Sequence, residues 1–307
     1  MKDSIFTINF IFCITFLAFY ACNTKPEVED SLNNRSIVKK VDPVVKRTAK
    51  TYRTQVVYEL DTMHSVKEVD SLFALLNEDQ KKVLLDLNRI EQNRIKPKMA
   101  IIVPECISHE LVEYSPMPQH VHVMKCLPKS LIINQRIQAF GLYENGDLIR
   151  WGPISSGKKS TPTPNGLYYT NYKSKMKTSS VNHAWKLPYY FNIMNNEGIG
   201  MHQYEMPGHP ASHGCIRLKM EDAQFIYDWA DTWGLENNQV ARHGTPVMLI
   251  GEYDYQSEIP WHLLKENMKA DDFTKEEFLT LEKYMLAYQE DTLNDKNLEE
   301  IQLNLHK

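Results

Sequence analysis

The chain has 307 residues, 42% hydrophobic and 24% charged, an ordinary globular usage that excludes wholesale disorder, a multi-span membrane protein and a small disulfide knot. Basic side chains number 35 and acidic ones 39, a net charge of −4 with no broad basic excess, so nucleic acid is set aside as a partner. The length suits about two domains.

Lys2 is followed by an apolar run from Ile5 to Tyr20, broken only by Thr7, Asn9 and Thr15 and ending at Ala21, Cys22 and Asn23. The run falls short of the roughly 20 apolar residues of a comfortable membrane span and has the layout of an export signal. Residues 1–22 resemble a bacterial lipoprotein signal peptide, which implies Cys22 as the lipidated first mature residue. An uncleaved anchor helix is the alternative. Both place residues 23–307 outside the cytoplasm, on the periplasmic side of the cell envelope and tied to a membrane. Residues 23–50 are polar without an apolar period, as a flexible tether is.

Residues 51–105 read as a small βααβ domain. Tyr52, Val56, Val57, Tyr58 and Leu60 supply the β-branched and aromatic residues of a strand. Val66, Val69, Leu72, Phe73 and Leu76 repeat at helical spacing, and Asn77 with Gln80 forms a capping box ahead of Val83, Leu84, Leu87 and Ile90. Met99 to Val103, stopped by Pro104, is the closing strand. With Asp61 and Thr62 near the first turn and IKPKMAIIVP before the exit, this order resembles a degenerate LysM module, which implies glycan binding. A support domain without a glycan site is the other reading. Residues 106–126 form a linker whose Cys106 and Cys126 either pair, as exported thiols tend to, or are buried separately. Cys215 is left over in both cases.

From Leu127 the pattern turns β-rich. Leu131 to Tyr143 and Leu148 to Ser155 are strand-like runs joined through Asn145 and Gly146, a strong hairpin signal. A loop rich in Thr and Pro, Ser160 to Gly166, precedes an aromatic strand, Leu167 to Asn171. Asp222 to Trp233 is expected to be a helix with Phe225, Ile226, Trp229, Ala230 and Trp233 on its buried face, and Val247 to Ile250 a last buried strand. In residues 256–307, Thr274 and Glu277 cap an amphipathic helix carrying Phe278, Leu281, Met285 and Tyr288, for which packing on the body is the economical reading. The fold class is therefore α+β: a β-rich domain over 127–255, preceded by the βααβ domain and followed by a helical extension.

The chemistry lies in GIGMHQYEMPGHPASHGCIRL, Gly198 to Leu218, which gathers His202, His209, His213 and Cys215. A thiol attacks carbonyls as thiolate, and a free Cys with a pKa near 8.5 is mostly protonated at neutral pH. A catalytic one needs a nearby imidazole or a field that favours negative charge. A strand with a returning loop would bring His202 to Cys215, and Gly214 lets the backbone turn its N–H groups inward toward an oxyanion. Zinc is the competing use of the same residues. His213 and Cys215, two apart across a glycine, match no common zinc frame and no HExxH pair is present, so no metal is expected.

His202 followed by SHGCIR resembles the signature of L,D-transpeptidases with the YkuD-type catalytic domain. LYENGDLIRWGPISSG, TPTPNG and GTPVMLI extend the similarity over about Leu127 to Tyr255. The resemblance implies a mixed-sheet, sandwich-like domain with no cofactor. It implies Cys215 as nucleophile, His202 as general base oriented by a nearby carbonyl such as that of Gln203, and His213 as a second imidazole holding the loop or assisting proton transfer. Ser212 would support the turn, and the amides of Gly214 and Cys215 would form the oxyanion site. Arg217 would either fix a substrate carboxylate or lock the loop to the sheet, and Tyr190, with Tyr189 and Phe191, would either line the substrate groove or pack in the core. The 13-position gap from His202 to Cys215 is short for the family, implying a small capping loop.

The implied substrates are peptidoglycan stem peptides, donor and acceptor. The donor carbonyl at the third residue would be attacked, D-Ala expelled, and the thioester resolved by a neighbouring amine as a 3→3 crosslink. Water as acceptor would make the same site a carboxypeptidase. A catalytically dead lipoprotein that binds peptidoglycan is the reading from another class, with Cys215 a buried structural thiol. The resemblance also implies that carbapenems acylate the thiol.

Overall fold

The computed structural model describes residues 56–107 and 111–294. The expected signal, lipidation at Cys22, the whole tether and residues 51–55 of the expected first strand lie outside them. Among the described residues no helix is long and apolar enough to cross a membrane.

The first elements are β1 (Tyr58–Thr62), α1 (Val66–Ala74), α2 (Glu78–Leu87) and β2 (Ala100–Pro104). Helix starts follow their caps: Ser65 accepts from the Glu68 amide at 3.2 Å, and Asn77 and Gln80 form the reciprocal capping box at 2.9 and 3.1 Å. β1 and β2 pair antiparallel, Tyr58 opposite Pro104. Met63, Val69, Phe73, Leu84, Ile95 and Ile101 make a small core of their own.

The main body follows in the order β3 (Ser130–Asn134), β4 (Ala139–Glu144), β5 (Asp147–Pro153), β6 (Gly166–Tyr169), β7 (Lys173–Thr178), β8 (Lys186–Met194), β9 (Ile199–Gln203), β10 (Ile216–Leu218), α3 (Met220–Trp229), β11 (Gly234–Glu236), β12 (Gln239–Arg242) and β13 (Pro246–Ile250). One sheet has strand order β5-β4-β3-β13-β6 and the other β10-β9-β8-β7. Both are antiparallel apart from the parallel pairs β3 with β13 and β9 with β10. β3 and β13 are buried along their whole length because both faces are covered. Leu131, Ile133, Val247 and Leu249 join Phe191, Ile193, Met201, Ile216 and Ile226 in one core. Ile132, Met248 and Ile250 join Val83, Leu87, Ile102, Trp261, Leu281 and Tyr288 in another. Alternation along a strand divides them so, and each such side chain contributes about 2 kcal/mol relative to exposure.

The second core draws in both flanking segments. α4 (Lys275–Glu290) starts at a Thr274–Glu277 capping box and buries Leu281, Met285 and Tyr288. A fully buried ion pair crosses between the segments: Arg89 Nη2 donates to Asp271 at 3.1 Å, its Nε donates to the Ile137 carbonyl at 3.2 Å, and the guanidinium lies 4.6 Å over the Trp261 ring.

Two expectations are corrected. The run Leu131 to Tyr143 is two strands, β3 and β4, because the chain reverses over Gln135–Gln138 without glycine or proline. Gln138 holds φ at 48° and its side-chain amide ties Gln135 to Ser156. The helix expected to Trp233 ends at Trp229, and Phe225 is exposed while Asp222, Ala223 and Ile226 face inward. Asp222 is held there by Arg150, whose Nε and Nη2 donate at 2.9 and 2.6 Å. Of the two readings left open for Cys106 and Cys126, pairing is not seen: both are free thiols, Cys106 exposed and Cys126 half-buried. The hairpin at Asn145 and Gly146 forms as expected, with φ of 51° and 82°, the twist that a two-residue turn between strands requires.

Candidate active site

β9 and β10 lie side by side with Met201 opposite Ile216 and His202 opposite Arg217. Met201, Ile216 and Leu218 point into the core between the sheets. By alternation, His202, Cys215 and Arg217 share the other face. There they line an open cleft with Trp185, Leu187, Tyr204 and His213. Gly200 shares this face. A Cβ there would lie 2.5 Å from the Phe191 carbonyl oxygen and 2.7 Å from the Tyr190 ring, so only glycine lets β9 approach β8 this closely. The Gly200 backbone opposes the upward push that burial gives the Cys215 thiol.

The turn that presents the sulfur is tied internally. Ser212 Oγ accepts the Gly214 N–H at 3.0 Å and donates to the Cys215 carbonyl at 2.5 Å. Gly214 sits at φ 110°, which L side chains rarely adopt. The Thr/Pro loop clamps the turn from outside: Thr161 Oγ1 donates to the Ser212 carbonyl at 3.1 Å, and Thr163 Oγ1 donates to the Gly214 carbonyl at 2.7 Å while accepting the Gly157 N–H at 2.9 Å. The short loop between His202 and Cys215 is braced by the βααβ segment. Glu91 N–H donates to the Met206 carbonyl and Gly208 N–H to that of Arg89, both at 3.0 Å, and Arg94 pairs with Glu205.

The electrostatics define the resting state. His202 is 4% exposed, and burial lowers its imidazole to about 4, against the Gln203 bond and helped by the Arg217 charge. Its Nδ1 lies 2.9 Å from the Gln203 carbonyl oxygen. A carbonyl only accepts, so the proton is on Nδ1 and the Nε2 lone pair is left as a base. Burial pushes the Cys215 thiol up, opposed by the Gly200 backbone and the charges of Lys177 and Arg217. The unliganded pair is thus a neutral thiol beside a neutral, oriented imidazole.

The remaining expected residues divide. His213 is at the rim, exposed, its ring 5.0 Å from that of Trp185 and its Nε2 accepting from Lys158 Nζ at 3.1 Å. Partial desolvation, then Lys158 and Arg217, lower its imidazole as well. Arg217 locks the loop: its guanidinium donates to the Ala211 carbonyl at 3.1 Å and that of Glu205 at 3.4 Å, and stacks 4.6 Å over Tyr204. Tyr190 is not a groove residue. It is fully buried, donates its hydroxyl to the Gly198 carbonyl at 2.9 Å, and lies on the same sheet face as Gly200 with its ring 6.4 Å from that of His202, covered rather than lining the cleft. The Gly214 amide, expected to face an oxyanion, is taken by Ser212. His209 turns away to the Pro207 carbonyl. Among the described residues no group of three His, Cys, Asp or Glu side chains is arranged to hold a metal. Lys177, Trp185, Gly200 and Thr163 escaped the residue-level reading. Thr163 lies in the TPTPNG phrase and Gly200 in the Gly198–Leu218 stretch, while nothing pointed to Lys177 or Trp185.

Residues 128–249 match the YkuD family, the L,D-transpeptidase catalytic domain. No curated protein matches the chain. Among solved structures, the L,D-transpeptidase (Yku) from Stackebrandtia nassauensis is 23% identical, with a TM-score of 0.34, covering 41% of this chain and 56% of that one. The L,D-transpeptidase from Mycobacterium smegmatis is 19% identical, with a TM-score of 0.33 and coverage of 40% and 58%. A mutant of the Enterococcus faecium L,D-transpeptidase is 19% identical, with a TM-score of 0.32 and coverage of 49% and 55%. The chain thus spans a little over half the length of these proteins.

Proposed function

We propose that this chain, with a YkuD-type L,D-transpeptidase catalytic domain over residues 128–249, is a cysteine acyltransferase acting on peptidoglycan stem peptides. His202 Nε2 takes the Cys215 proton as the sulfur attacks the donor carbonyl at the third stem residue. The imidazolium then gives its proton to the departing D-Ala amine, leaving a thioester. A neighbouring stem amine, deprotonated by His202, attacks the thioester and forms the 3→3 crosslink. Residues 1–22 and Cys22 belong to this reading as the anchor that holds the enzyme on the periplasmic side of a membrane.

One observation supports it above the rest. Nδ1 of a buried His202 is committed to the Gln203 carbonyl on the same sheet face as Cys215, so the imidazole is kept in the tautomer a general base requires. A structural thiol in a core gains nothing from such a neighbour.

Digestion of purified sacculi tests it. New 3→3 dimers that vanish in Cys215→Ala are expected. Trimmed stems alone would make the enzyme a carboxypeptidase, and unchanged sacculi would leave a binding protein. Incubation with a carbapenem is expected to place one adduct on Cys215, formed slowly in His202→Ala. An adduct persisting in Cys215→Ala would overturn the nucleophile.

A further inference from the structure

Two lysines of β7, Lys173 and Lys177, are anchored against aromatic rings with no carboxylate paired to them among the described residues, and Lys177 is the one set beside the Cys215 site. Among the described residues, Lys82, Lys129, Lys219, Arg89, Arg136 and Arg150 each meet a carboxylate. Lys177, half-buried, is not among these pairs. Its Nζ donates to the Tyr172 hydroxyl at 2.6 Å, lies 4.9 Å from the Tyr172 ring centroid and 4.0 Å over that of Tyr190. The Tyr190 ring lies 6.4 Å from that of His202, and Gly200 packs against the same ring. On β8 the residue opposite Lys177 is Leu187, a wall of the cleft.

A half-dry ammonium with no carboxylate beside it loses solvation that two aromatic faces return in part. Its countercharge arises during the reaction. When the Sγ–H bond breaks, the proton goes to His202 Nε2 and the electron pair stays on sulfur, while Lys177 keeps its three protons throughout. Lys177 is one of two cations that draw the Cys215 thiol down against burial. The other, Arg217, already donates to two loop carbonyls.

We propose that Lys177, held by Tyr172 and by the Tyr190 ring that neighbours His202, is a positioning residue whose fixed charge stabilises the Cys215 thiolate. The proposal rests on Cys215 being the nucleophile. It assigns the activating field to β7, with the neutral His202 left to move the proton.

The test is alkylation of the full chain by iodoacetamide as a function of pH, read by mass spectrometry on the peptide carrying Cys215. In Lys177→Met and Lys177→Gln the midpoint is expected to move up by on the order of one pH unit, about tenfold slower alkylation near neutrality, while Lys177→Arg stays close to the unsubstituted chain. Thermal melting identifies a neutral variant that has folded, and either one suffices. A folded neutral variant whose profile superimposes on that of the unsubstituted chain, or an Arg variant shifted as far as Met, overturns the proposal. Alkylation consumes no stem peptide. A shifted profile without crosslinking would therefore sink the proposed substrate alone, and an unshifted profile with crosslinking would sink the role of Lys177 alone.

Discussion

Acidification is expected to weaken this protein through its buried imidazoles, His202 among them. His202 takes a proton below the ordinary value of 6.5 when unfolded, and only below about 4 when folded, because burial penalises its charged form. Between those values the unfolded chain binds more protons, so stability rises with pH across the window and is lost as pH falls through it. At about 1.4 kcal/mol per pH unit, the window is worth about 3 kcal/mol. His262, also lowered to about 4 by burial and then by Arg89, acts in the same direction, so the effect must be read as a difference. Denaturant midpoints measured from pH 4 to 7 for the unsubstituted chain and His202→Gln are expected to diverge, the former losing about 3 kcal/mol more. Because the neutral imidazole is the base, the acid limb of kcat/KM should fall near 4. Parallel stability curves, or an acid limb near 6.5, would refute the buried, neutral His202.

Three substitutions probe the scaffold. Gly200→Ala drives a methyl to 2.5 Å from the Phe191 carbonyl oxygen, and a loss of about 3 kcal/mol in denaturant unfolding is expected, with crosslinking reduced through the displaced His202. Thr163→Val removes the donor to the Gly214 carbonyl and the acceptor for Gly157. Stability should fall by about 2 kcal/mol, and kcat should fall more than KM rises as the nucleophile turn loosens. Asp271→Asn leaves the Arg89 guanidinium buried without its countercharge. A cost of about 3 to 5 kcal/mol is expected by denaturation, and an unchanged midpoint would contradict the buried pair.

Local chemistry was legible in the sequence where one short stretch decides the structure. Asn77 with Gln80 and Thr274 with Glu277 form the capping boxes their spacing requires, and the Asn145–Gly146 turn needs only two positive φ angles. SHGC marked the turn that presents Cys215 because Gly214 and Ser212 serve the same few atoms. What escaped was set by partners distant in the chain. The reversal at Gln135–Gln138 hides within a β-branched run, since its bonds come from Ser156. Tyr189, Tyr190 and Phe191 cannot be sorted into groove and core until β8 pairs with β9, and that pairing puts Tyr190 beside His202. Lys177 is one lysine among several on a polar strand, and only the Tyr172 and Tyr190 rings distinguish it. The brace between Arg89–Glu91 and Met206–Gly208 joins backbone groups whose side chains carry no signal of it.

The central claim is that the Cys215 sulfur carries the acyl group. Rapid quenching of the full chain with a synthetic stem tetrapeptide, followed by mass analysis of the Cys215 peptide, tests it directly. The account predicts a tripeptide thioester on that sulfur, one D-Ala released per adduct, and neither in Cys215→Ala. Release of D-Ala by folded Cys215→Ala, or an acyl group recovered on any other side chain, would contradict it.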